Sequence, residues 1–112
     1  MKYMLLLWEP DTEWDTVPEA ELRAALAEHE RFVGYLDDEG IEHSGGALRP
    51  STAATTLRPN GSDVLVSDGP FVELVEHLGG YYVIEATDLD HALRIARHCP
   101  MGAGIEVRPL WA

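Results

Sequence analysis

Residues 68–82 read DGPFVELVEHLGGYY and join two short apolar segments of the chain. Segment 64–66 precedes this stretch, and segment 82–84 begins at its last residue. Short apolar runs between turn residues are typical of buried strands. In the Asp-Gly-Pro sequence that begins at Asp68, the glycine accepts backbone angles that other residues avoid, and the proline fixes its own φ. The stretch therefore predicts a strand, a stiff turn that holds a carboxylate in place, and a second strand.

An amphipathic helix is predicted upstream, from about residue 17 to residue 39. Thr16 and Glu19 have the spacing of a capping box at its start, and Gly40 suits the left-handed position that ends a helix. Apolar residues recur along it every three or four positions, as expected of a helix that covers a sheet. They are Leu22, Ala25, Leu26, Phe32, Val33 and Leu36.

A second helix is predicted at about residues 88–99, where a similar apolar stripe ends before a proline. Asn60 and Gly61 stand between two extended runs and predict a hairpin. The predicted strands are 3–8, 41–48 (a weaker strand broken by two glycines), 53–58, 63–67, 80–85 and 105–108. This β-α-β-β-β-β-α-β order predicts an α+β fold, a ferredoxin-like sandwich with both helices on one face of one antiparallel sheet.

The other face of that sheet needs a cover from outside the subunit. Strand residues such as Leu5, Leu7, Val64, Val66 and Val83 are too apolar on both sides of the sheet for open solvent. A second copy laid sheet to sheet supplies that cover. The sequence therefore predicts a homodimer.

Composition limits the classes of partner. The 112 residues predict one domain, residues 1–112, and their net charge of −12 repels nucleic-acid phosphates and anionic membranes. The apolar start, residues 4–8, is too short for a signal peptide or a membrane span, so we expect a cytoplasmic protein. Cys99 is the single cysteine, which excludes an intrachain disulfide and fits a small apolar residue near a helix end.

The stretch 68–82 resembles the signature of the YCII-related family, in its DGPF subgroup. Segments 1–6, 46–50, 53–56, 99–100 and 105–109 resemble that subgroup as well. Val75 departs from the pattern, because members often carry lysine there. The resemblance implies a homodimer of the dimeric α+β-barrel kind. It also implies a regulatory link to extracytoplasmic-function sigma factors.

His29 is the most suggestive residue for chemistry. It lies in the middle of the apolar stripe of the first helix, so its imidazole faces the sheet and needs a partner. A structural histidine bonded to a backbone carbonyl or a tyrosine hydroxyl satisfies this spacing, and so does a catalytic one. The resemblance implies a His–Asp pair as the active site, which here is His29 with Asp68. A carboxylate beside an imidazole raises its basicity, which suits acid/base chemistry near neutral pH.

Four further residues are candidates for ligand binding. Phe71 follows the turn and can form a pocket wall or fill the core, and Trp8 ends the first strand. Glu73 and Glu76 share a face if their segment is a helical turn, where they can bind a cation or lie in solvent. The five histidines lack metal-ligand spacing, and the chain has no phosphate loop and no nucleophile elbow, so we expect no metal and no cofactor.

Three functions stay open at this point. The first is a small cytoplasmic enzyme in which His29 acts as general acid or base, Asp68 orients it, and a small polar metabolite binds between the first helix and the sheet. The second is a ligand-binding or regulatory dimer without turnover, linked to a sigma factor. In the third, both residues only hold the fold together.

Overall fold

The computed structural model describes residues 1–10, 12 and 14–111, and it confirms the predicted order of elements. In chain order these are β1 (Lys2–Pro10), α1 (Glu19–Asp38), β2 (His43–Ala47), β3 (Thr55–Asn60), β4 (Asp63–Asp68), β5 (Glu76–Glu85), α2 (Leu89–Ala96) and β6 (Gly104–Pro109), with a short 3₁₀ turn at Ser51–Ala53. The α+β class is therefore confirmed.

The strands form two sheets rather than the single sheet that was predicted. Four strands make an antiparallel sheet in the order β2-β5-β1-β6, while β3 and β4 pair with each other in a separate two-stranded sheet. β2 pairs with β5 on one edge, and neither hairpin strand pairs with its other edge. The four-stranded order interleaves two β-α-β units, and each helix connects strands that have one strand between them.

The core lies between the four-stranded sheet and the two helices. Tyr3, Leu5 and Leu7 of β1 are buried on the helix-facing side, against residues such as Phe32 of α1 and Ile95 of α2. Side chains alternate along a strand, so the apolar residues Met4, Leu6 and Val83 point to the opposite face, which we call the open face. These residues are only half-buried in the subunit.

Helix α1 differs from its prediction in two ways. It begins at Glu19 after Pro18, and no side chain caps it, so the capping-box prediction was wrong; the proline ring itself fixes the backbone at the helix start. Of the apolar stripe only Phe32 and Leu36 are buried, and Leu26 is 54% exposed. Neither helix in the described residues is long and apolar enough to cross a membrane.

Strand β2 runs through its two glycines instead of being broken by them. A Cβ atom on Gly45 would lie 2.9 Å from the ring of Tyr82, so only glycine lets that ring lie over the strand. The predicted turns are confirmed: Gly40 has φ +66° after α1, and Gly61 has φ +64° in the β3–β4 hairpin.

The β3–β4 hairpin forms an arm, residues 55–68, with one uncovered face. Leu57 pairs with Val66, and Val64 and Asp68 lie on the same side because side chains alternate. Leu57, Val64 and Val66 are 62%, 51% and 60% exposed. We call this side the bare face of the arm. The radius of gyration of the chain is 16.1 Å, against about 13 Å for a compact domain of this length, so the subunit is unusually open.

Candidate functional site

A histidine–tyrosine contact joins α1 to the sheet. Nδ1 of His29 lies 2.7 Å from the hydroxyl oxygen of Tyr82 on β5, and the two rings are stacked with centroids 5.9 Å apart. Phe32, less than one turn further along α1, packs edge-on against Tyr82 at 4.9 Å. The tyrosine hydroxyl is one of the two partners that the sequence predicts for a structural histidine at this position.

The Tyr82 hydroxyl stays neutral near physiological pH. Burial, with a smaller effect from the nearby Cys99 thiol, raises the pKa of Tyr82 to about 12. A neutral hydroxyl can donate to a bare Nδ1 or accept from a protonated one. In the first case Nε2 of His29 carries the proton and can donate a hydrogen bond to a ligand, and in the second Nε2 has a free lone pair and can act as a base.

The other ring nitrogen of His29 is available to a ligand. Within the part of the chain that the structure describes, the hydrogen bond to Tyr82 is the only one of the imidazole, and the ring is half-buried. Gly45 pairs with Tyr82 in the sheet and Ala47 follows on the same side of β2. Both are exposed and small, and Leu26 on α1 is 54% exposed, so this side of β2 carries no bulky side chain; we call the exposed surface of Gly45, Ala47 and Leu26 the shelf.

Asp68 occupies the fixed turn that the sequence predicts. It is the last residue of β4, and Gly69 after it has φ +98°. The Gly69 N–H donates to the Ala54 carbonyl at 2.8 Å, and the Thr56 hydroxyl donates to the Gly69 carbonyl at 2.7 Å. Among the described residues the Asp68 carboxylate has no hydrogen bond or ion pair, including any with His29. The His29–Asp68 pair stays a prediction.

The predicted ligand-binding residues are separated in the subunit. Trp8 lines a cleft of about 440 Å³ together with Leu74 and Glu76. Phe71 is 69% exposed and lies under the guanidinium of Arg58, so it neither fills the core nor lines that cleft.

Glu73 is exposed and does not line the cleft either. Residues 71–75 do not form the helical turn that would align it with Glu76, since β5 already begins at Glu76. In the ranges that the structure describes, no cluster of three or more His, Cys, Asp or Glu side chains could hold a metal ion.

Cys99 is buried as predicted, at 5% exposure, and burial raises the pKa of its thiol to about 12. It therefore remains a protonated packing residue.

Tyr82 is the candidate site residue that the sequence analysis missed. Its signal was the alternation of β5, because Tyr82 and the buried Ile84 are two positions apart and must share the helix-facing side. Alternation alone does not show whether Tyr81 or Tyr82 points toward the helices. The register between β5 and β1 decides this, because it pairs Tyr82 with the buried Leu5.

The sequence itself matches a known class of domain. A family model described as the YCII-related domain matches residues 1–112, and the chain belongs to that family. The chain is also 46% identical over 67 residues to an uncharacterized protein of Rhizobium meliloti (strain 1021). That alignment covers 56% of this chain and 54% of the relative, so the chain spans about half of the length of the relative that it matches.

Proposed function

We propose that this chain is a cytoplasmic enzyme of the DGPF subgroup, a dimer of the ferredoxin-like α+β-barrel type, in which His29 transfers a proton to or from a small polar metabolite. The observation that carries this proposal is the 2.7 Å contact between Nδ1 of His29 and the Tyr82 hydroxyl, together with a second ring nitrogen that has no partner among the described residues. A histidine that only filled the core would not need a free nitrogen beside an open shelf.

In this proposal the metabolite lies on the shelf between α1 and β2, with its reacting atom at Nε2 of His29. Tyr82 orients the imidazole, because its hydroxyl accepts from Nδ1–H both in the neutral base and in the imidazolium that forms when Nε2 takes a proton. Proton transfer through Nε2 suits an isomerase, lyase or hydrolase acting on a small aromatic or dicarbonyl compound.

Asp68 has a supporting role in the proposal. A carboxylate close to the imidazole, directly or through one water, stabilises the imidazolium that forms during proton transfer. Two features support this role. The turn that follows Asp68 is held by two hydrogen bonds, and no described residue engages its carboxylate. A fixed and unpartnered carboxylate is available to a second charged group.

The dimer in the proposal covers two apolar surfaces. One is the open face of the four-stranded sheet, with Met4, Leu6 and Val83, and the other is the bare face of the arm. Exposed apolar patches above a few hundred Å² are rare on soluble monomers and mark interaction sites. A second copy of a chain with a charge of −12 can approach only where the contact surfaces are themselves apolar, as both of these surfaces largely are.

A second candidate is a ligand-binding or regulatory dimer without turnover, linked to a sigma factor. Its supporting observation is the apolar segment after the arm. Val72, Leu74 and Val75 are 54%, 52% and 86% exposed, and Val75 stands where lysine is common in the subgroup. If the dimer leaves these residues exposed, they suit an apolar docking site on another protein.

Proton exchange separates the two candidates. A panel of small 1,3-dicarbonyl compounds is incubated with the protein in D₂O, and loss of the signal of the acidic C–H is followed by NMR. We expect wild type to accelerate exchange of at least one compound, His29→Gln to lose this acceleration, and the control His43→Gln to keep it. Protection of wild type against heat without any exchange supports the ligand-binding candidate. Neither exchange nor protection across the panel contradicts both.

A further inference from the structure

A pocket of about 370 Å³ lies between α1 and the segment that follows α2. Phe32 and Cys99 form its floor but are only 1% and 5% exposed, so most of the apolar surface that a ligand can reach belongs to Pro100, Tyr35 and His98. His29 is not among its lining residues, so the pocket is distinct from the shelf of the proposed function. A volume of this size is within the range of small-molecule sites, about 300–1,000 Å³.

One wall of the pocket is a fixed aromatic pair. The rings of Tyr35 and His98 are stacked with centroids 3.9 Å apart and an angle of 16° between their planes. This stack joins α1 to the segment after α2, so the wall does not depend on a single flexible side chain. A planar or aliphatic group in the pocket therefore meets a preformed surface.

The rim of the pocket carries one charge of each sign. Glu28 and Arg31 are three residues apart on α1 and are both exposed. Neither forms an ion pair in the part of the chain that the structure describes. On the same helix, Arg23 and Glu19 do pair, at 2.6 Å. The carboxylate and the guanidinium at the rim are thus both free to bind groups of a ligand.

We propose that this pocket binds a small zwitterion with an apolar body, of the class of α-amino acids with an aromatic or large aliphatic side chain. The carboxylate of the ligand pairs with Arg31, its ammonium group pairs with Glu28, and its side chain lies against the stacked wall of Tyr35 and His98. A guanidinium binds a carboxylate through two parallel hydrogen bonds, which fixes the orientation of the ligand.

The charges favour a zwitterion over a simple ion. A simple anion would meet the Glu28 carboxylate at the rim and the net charge of −12 of the whole chain. A simple cation would meet the guanidinium of Arg31. A zwitterion gains from both rim residues and has no net charge for the long-range field to repel.

Three probes that differ by one charged group test this proposal. L-phenylalanine carries both charges, phenylacetate lacks the ammonium group, and phenethylamine lacks the carboxylate. Each is titrated into the full chain through the millimolar range, with the NMR signals of Tyr35 and His98 as the readout. We expect L-phenylalanine to bind about tenfold more tightly than either truncated probe, as for the loss of one charge-assisted contact.

Variants at the rim sharpen the test. Arg31→Gln should weaken binding of L-phenylalanine and phenylacetate but not of phenethylamine, which loses a repulsive charge. Glu28→Gln should weaken binding of L-phenylalanine and phenethylamine but not of phenylacetate, for the same reason. Arg23→Gln and Glu19→Gln, in the ion pair on the same helix, are matched controls that should leave all three affinities unchanged. His29→Gln should also leave them unchanged, which separates this pocket from the proposed active site.

Two results would overturn the proposal. One is the absence of any saturable shift at Tyr35 and His98 with L-phenylalanine. The other is equal affinity of wild type for the three probes, which would show that the pocket does not discriminate between ligands by their charge.

Discussion

Nδ1 of His29 lies 2.7 Å from the hydroxyl of Tyr82, and this contact joins the middle of α1 to β5. Elsewhere on α1 the fully buried residues are Phe32 and Leu36. The hydroxyl is neutral near physiological pH, and burial raises the pKa of Tyr82 further, to about 12. In the proposed reaction Nδ1–H stays bonded to this hydroxyl while Nε2 takes a proton, so the imidazolium that forms keeps the same orientation.

Tyr82→Phe removes the hydroxyl and keeps the ring. We expect the free energy of unfolding to fall by about 1 kcal/mol, because a partly buried imidazole nitrogen loses its hydrogen bond. Proton exchange should slow as well, since His29 loses the group that orients it. Urea unfolding and the exchange assay measure the two effects. Tyr81→Phe, the neighbouring residue on the opposite face of the sheet, is the matched control and should change neither.

Alkaline pH should destabilise the fold through two buried acids. Burial raises the pKa of Tyr82 from 10.0 to about 12 and that of Cys99 from 9.0 to about 12. The folded state therefore holds these protons more tightly than the unfolded state. This stability is fully present below about pH 9 and is lost as the pH rises from there through about 12.

Urea unfolding across that alkaline range measures the loss. The double variant Tyr82→Phe/Cys99→Ala should lose less free energy of unfolding than wild type over the same interval. Parallel pH profiles of the two proteins would show that neither group contributes.

Val66 and Leu65 allow a sharp test of the dimer. They are adjacent on the arm, 60% and 52% exposed, but they point to opposite faces. Val66→Asp should give a monomer, because it places a charge in the centre of the bare face, where an unpaired buried charge costs several kcal/mol, about 3–5. Leu65→Asp should leave the dimer intact. Light scattering that reports a monomer for wild type, or a dimer for Val66→Asp, would contradict this interface.

Local chemistry allowed much of the fold to be predicted from the sequence. The left-handed glycine after α1 and the Asn60–Gly61 hairpin depend on neighbouring residues, and both were located correctly. The second helix starts close to its predicted position, and Asp88 caps it by accepting a hydrogen bond from the His91 N–H at 2.8 Å. The capping box failed because Pro18 sets the start of α1 in its place.

The separate sheet of the arm and the Tyr82 partner could not be predicted. Both depend on which strand pairs with which, and β5 rather than β4 lies beside β2. Periodicity identifies strands but does not give their register or their neighbours. For the same reason the sequence placed His29 on the buried stripe without showing which side chain it meets.

Asp68→Asn tests the supporting carboxylate. It should leave the free energy of unfolding within about 0.5 kcal/mol of wild type, because the carboxylate has no partner in the described part of the subunit. The rate of proton exchange should fall, since the imidazolium loses a stabilising charge. Asp63→Asn, at the other end of the same strand, is the control for a general loss of charge. If the exchange rate is unchanged in Asp68→Asn, Asp68 is a turn residue alone.

Chemical modification of His29 tests the central claim most directly, because it asks whether Nε2 is open to solvent in the folded protein. Diethyl pyrocarbonate reacts with accessible imidazole nitrogens, and peptide mass spectrometry distinguishes the five histidines. We predict that His29 is modified in the native protein at a rate within about an order of magnitude of the exposed His98, and that proton exchange is lost in step with this modification. Modification of His29 only after unfolding would contradict the account, because it would show a core histidine with no nitrogen available to a substrate.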